Sequence, residues 1–179
     1  MVAFAAICSQ AATVSWTLTN VNQGGTGVSG AMYIFTTETA SRDAILALAG
    51  TGADAVSAAM ADASITWKVA NGTGSVGATS TDKVDITTAG LNGSTSYNFF
   101  AVVFDTDTIT DESNFFVTAL KSQTMADAAT ANNKVIGWGS QATASAAEGA
   151  WNAVAVPEPT SGLLMLVGLA GLALRRRRA

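Results

Sequence analysis

The chain is 179 residues long with 13 acidic and 9 basic residues, a net charge of −4, one cysteine and no histidine. That length fits one body with a sizeable core that needs no disulfide. The missing histidine excludes Ser-His-Asp and Cys-His nucleophile systems, histidine general acid/base chemistry and histidine metal sites, and the acidic balance speaks against nucleic acid or anionic lipid as a partner.

At the start of the chain, Val2 to Cys8 is a short apolar run followed by Ser9-Gln10-Ala11, a small-x-small site for signal peptidase cleavage after Ala11. Residues 1–11 therefore read as the remnant of a signal peptide, with the Sec machinery and signal peptidase as its partners. No Lys or Arg precedes the run, so the start codon is read as lying upstream; an ordinary N-terminal strand is the alternative. Cys8 is not read as a lipid attachment site, because Ile7 stands where a small residue is expected.

Residues 12–125 read as a mainly β body, an antiparallel β-sandwich with a helical insert at 41–62. Val14, Trp16 and Leu18 alternate with Ser15, Thr17 and Thr19, the period of a half-buried strand over 13–21. Asn22 to Gly27 is a flexible turn, and the apolar segment 31–37 is a second strand, expected to form an antiparallel hairpin with the first. Ser41 as N-cap, Asp43 in the first turn and a stop at Gly50-Thr51-Gly52 predict a helix, resumed over 53–61. Ile45, Leu48, Val56 and Met60 are its packing face. Strands follow at 65–69, after which Asn71-Gly72 marks a tight turn, and at 83–87.

The segment Leu91-Asn92-Gly93-Ser94-Thr95-Ser96-Tyr97, leading into an alternating run to Val103, is similar to the approach to the penultimate strand of fibronectin type III domains. That resemblance implies a corner tyrosine at Tyr97 whose hydroxyl bonds to upstream backbone; a generic jelly-roll-like sandwich is the other architecture open. Residues 105–114 would then be a loop and 115–120 a final strand. Residues 126–155, rich in Ala, Asn and Ser, read as a linker with an edge strand at Lys134–Trp138.

Few residues could carry chemistry. Asp105, Asp107, Asp111 and Glu112 fall in one loop and would hold a hard cation such as Ca²⁺ if they converged, although the spacing is not that of an EF-hand and a solvated acidic loop is the plainer reading. Nothing else in the chain implies a cofactor. Of the tryptophans, Trp16 and Trp67 lie on the apolar side of their strands and are assigned to the core, whereas Trp138 and Trp151 are left open as glycan contacts. Gly72, Gly74 and Gly77 lack the Lys-Ser/Thr and helix of a phosphate cradle. No catalytic residue is assigned, and the chain reads as non-enzymatic.

The last segment, 156–179, is the most specific. Val156-Pro157-Glu158-Pro159 is an extended stretch that a protease could grip. An apolar run from Gly162 to Leu174 follows, then Arg175, Arg176, Arg177 and Arg178 as a stop-transfer cluster. A spanning helix needs about 20 apolar residues and this run is shorter, which suits a temporary hold in a membrane by a transmembrane-like helix. This order of parts resembles the PEP-CTERM sorting signal of Gram-negative bacteria, a tail also catalogued as an ice-binding protein C-terminal domain. The resemblance implies transient anchoring in the inner membrane and processing near Pro-Glu-Pro by an exosortase, a membrane-embedded protease. Delivery to the cell surface or extracellular matrix would follow. Two functions fit such a body: a structural or adhesive protein associated with exopolysaccharide, or a carbohydrate-binding or carbohydrate-active sandwich.

Overall fold

The computed structural model describes residues 12–19, 21–23, 26–28, 30–63, 65–68, 83–130, 132–140 and 151–155. The expected signal-peptide remnant 1–11, the turn at Asn71-Gly72, the glycine-rich loop and the whole sorting tail 156–179 lie outside them, as does the side chain of Trp67. Among the described residues no helix is long and apolar enough to cross a membrane.

The body is mainly β. Its strands are β1 (Thr13–Thr19), β2 (Asn22–Gln23), β3 (Thr26–Gly27), β4 (Ala31–Thr36), β5 (Ile65–Lys68), β6 (Val84–Asp85), β7 (Ser96–Phe104), β8 (Asn114–Val117), β9 (Lys121–Thr124), β10 (Asn133–Ser140) and β11 (Trp151–Ala153). Two helices, α1 (Arg42–Leu46) and α2 (Ala53–Met60), stand between β4 and β5. One sheet runs β10-β1-β6; a larger one runs β11-β8-β7-β4-β5, with β9 also paired to β7. β8 and β9 lie end to end along one edge of β7, facing residues 102–104 and 96–99.

Two apolar clusters make this a three-layered molecule. Val14, Trp16 and Leu18 of β1, with Ile136 and Trp138 of β10, meet Met32, Ile34, Phe99, Ala101, Val103 and Phe116 of the larger sheet. The opposite face of that sheet offers Phe35, Phe100, Val102, Phe104, Phe115 and Val117 to Ile45, Val56 and Met60 of the helices. The larger sheet is therefore covered on both faces, which explains why β7 stays buried at every position from Phe99 to Phe104 instead of alternating. The helices form where expected: the Ser41 hydroxyl accepts the N–H of Ala44 at 3.0 Å as an N-cap. Leu48 is only partly buried against the second cluster.

Three expectations are corrected. The first hairpin does not form: Asn22–Gln23 and Thr26–Gly27 pair with each other, and β1 instead pairs in parallel with β10 and antiparallel with β6. The reason is that the apolar faces of β1 and β4 meet across the core, which they could not do as neighbours in one sheet. The β1–β10 pair also makes the sheets mixed rather than purely antiparallel. Residues 126–155 are no mere linker, since β10, β11, the buried Ala126 and the fully buried Val154 all belong to the packed body. Lys134–Trp138 does lie on an edge strand, at one end of the smaller sheet.

Candidate functional site

The expected sorting motif lies outside the described residues, but the segment leading to it is held firmly. β11 adds to the edge of the larger sheet, with Trp151 opposite Phe116, Asn152 opposite Phe115 and Ala153 opposite Asn114. The Trp151 ring lies 5.9 Å from that of Phe116, and its indole N–H donates to the Asn22 carbonyl at 2.8 Å. Beyond it, the Val154 N–H donates to the Ser113 carbonyl at 2.9 Å.

A second strand-like contact closes from the other side. The N–H groups of Gly50 and Gly52 donate to the carbonyls of Ala153 and Val154, each at 2.9 Å, and Thr51 forms an isolated antiparallel bridge with Ala155. Both glycines have positive φ, 78° and 99°, so the turn between α1 and α2 needs residues without a Cβ to present these donors. Val154 is fully buried in the cluster under the helices. Residues 151–155 thus form a clasp between β8 and the interhelical turn.

The acidic loop frames the clasp and does not converge on a cation. Asp105 accepts the backbone N–H and the side-chain amide of Asn114, both at 2.8 Å, closing the base of the loop. Asp111 accepts the Ala53 N–H at 2.7 Å, supplying α2 with the N-terminal acceptor that Gly52 cannot offer. Asp107 and Glu112 are exposed, and among the described residues no group of three Cys, Asp or Glu side chains could hold a metal ion. Of Asp105, Asp107, Asp111 and Glu112, two thus accept from backbone N–H groups that hold the loop and helix in place.

Trp138 and Trp151 likewise spend their indole N–H groups on backbone carbonyls. Trp138 is 8% exposed, with its indole N–H donating to the Ala119 carbonyl at 3.0 Å, and Trp151 is half-buried against Phe116; they build no exposed platform. A different cleft, of about 400 Å³, opens between α2 and the acidic loop, lined by Tyr33, Ser57, Met60, Ala61, Asp107, Thr108 and Ile109. Tyr33 of β4 is partly buried against the cluster under the helices. Its ring is set edge-on to Phe104, with centroids 5.8 Å apart and planes at 89°.

One carboxylate has a shifted acidity. The Thr87 hydroxyl, then the Thr87 N–H and the Thr88 N–H, donate to Asp85 and hold its pKa below the ordinary carboxylate value, against a smaller opposing effect of burial. This is a local turn that follows β6, far in sequence from the clasp.

In comparison with known proteins, no curated protein and no solved structure matches the chain. Residues 155–178 match the family model described as the PEP-CTERM protein-sorting motif, a match that begins at the last residue of the clasp. The chain therefore carries a PEP-CTERM sorting motif, the mark of an exosortase-sorted, exported protein.

Proposed function

We propose that this protein is a non-enzymatic component of the cell surface or extracellular matrix, structural or adhesive and associated with exopolysaccharide. In this reading the tail 156–179 holds the chain in the inner membrane, with Arg175 to Arg178 on the cytoplasmic side, until an exosortase cuts near Pro157-Glu158-Pro159. The observation that carries it is the sorting motif placed directly after a packed body. The absence of histidine and the commitment of Asp105 and Asp111 to backbone donors support a body without catalysis.

The test is the intact mass of the protein recovered from the native host's envelope and medium. Loss of the segment after Pro-Glu-Pro supports the reading; a chain that keeps its arginines is a simple anchored protein and sinks it.

The cleft at Tyr33 favours a second reading, a carbohydrate-binding body. An aromatic ring beside Asp107, Ser57 and Thr108 offers a neutral sugar an apolar face and hydroxyl partners. Isothermal titration with a neutral soluble polysaccharide should then give heat that Tyr33→Ala abolishes; no heat from the wild type would remove this reading.

A further inference from the structure

The clasp bears directly on how the sorting motif is processed. Proteins that bind an extended peptide do so by pairing with its backbone, as if adding a strand, and a protease needs such access on both sides of the bond it cuts. Pro157 follows Ala155 by only two positions. On that side the Val154 N–H and the carbonyls of Ala153 and Val154 are already paired with the body. The Val154 side chain is fully buried, and Ala155 is bridged to Thr51. These groups cannot pair with the body and with a protease cleft at once.

We propose that the clasp, residues 151–155, gates removal of the sorting tail: the protease engages the chain only after the clasp has opened locally, so the stability of the clasp sets the rate of processing. This rests on the exosortase reading above. Opening such an element locally costs less than unfolding the body, and β11 is only three residues long. Among the described residues, every partner of the clasp lies on the N-terminal side of the cut, in residues 22, 50–52, 113–116 and the helical layer. The clasp therefore recloses after cleavage, and the processed body keeps its edge strand.

The test locks the clasp. In a Cys8→Ser background, Thr51→Cys with Ala155→Cys places two cysteines at an antiparallel bridge, where Cα atoms lie about 4.5–5.5 Å apart and a disulfide can form in an oxidising periplasm. Tail loss is followed by pulse-chase and intact mass in the native host, with Glu158→Ala marking the unprocessed baseline. The lock should slow tail loss by about tenfold or more, and a reductant should restore it. A Gly-Ser spacer inserted between Ala155 and Val156 should restore it with the lock still closed, since the protease can then grip chain outside the clasp. Tail loss from the locked chain at the unlocked rate overturns the gate. So does a locked chain that the spacer fails to rescue. An unlocked chain that never loses its tail overturns the sorting reading itself, and the gate with it.

Discussion

At the scale of single residues, buried polar groups are placed where the backbone needs a partner. The Tyr97 hydroxyl accepts the Asn92 N–H at 2.9 Å, as the corner tyrosine was expected to do, and this is why phenylalanine would not serve there. Tyr97→Phe should cost about 1 kcal/mol, measured by urea denaturation. Thr118 is fully buried, and its hydroxyl accepts the Ala101 N–H at 2.9 Å across the gap between β8 and β9. Asp85 gives a pH signature. Its acidity is raised chiefly by the Thr87 hydroxyl, so its folded pKa is depressed; the stabilisation is complete above the unfolded pKa and is lost as pH falls through the folded one. Wild type should exceed Thr87→Val in stability most clearly above the ordinary carboxylate range, and the two should converge as pH falls through the depressed folded value. A difference that does not shrink on acidification would show that the carboxylate is not its source.

At the scale of elements, β7 organises the body. Phe100 stacks on Phe35 with ring centroids 5.3 Å apart and planes 11° from parallel, in the layer under the helices. Phe100→Ala should cost about 3–5 kcal/mol, while the exposed Asn98→Ala on the same strand should stay within about 0.5 kcal/mol, both read from denaturation midpoints. Gly30 marks another element boundary: a Cβ there would run into the Phe104 carbonyl oxygen, just ahead of β4. Strands with a strong apolar pattern, such as β1 and β4, were legible from sequence. β9 was not, because Lys121-Ser122-Gln123-Thr124 is mostly exposed and takes its place from backbone pairing with β7. β6 was over-read, since Asp85 accepts from Thr87 and Thr88 and turns the chain after two residues.

For the whole molecule, the sorting tail and the fold meet at the clasp. A chain ended at Ser140 loses both the buried Val154 and the Trp151 contact and should lose about 3–5 kcal/mol, whereas one ended at Pro157 should melt as the full body does; calorimetry distinguishes the two. The order of prolines, apolar run and arginines in the tail was legible from sequence alone, since a sorting motif is a matter of local composition and order. The helical insert was equally legible, because its cap, its periodicity and its glycine stop are local. Only the tertiary structure decided which strands are neighbours: β1 and β10 lie more than a hundred residues apart in the chain, and their pairing follows from how two apolar faces close on one core. It also decided the fate of the candidate site residues. Asp111 caps a helix 58 residues earlier in the chain, and Trp151 bonds a carbonyl 129 residues away. Side chains that look available in sequence are committed by contacts that sequence spacing does not encode.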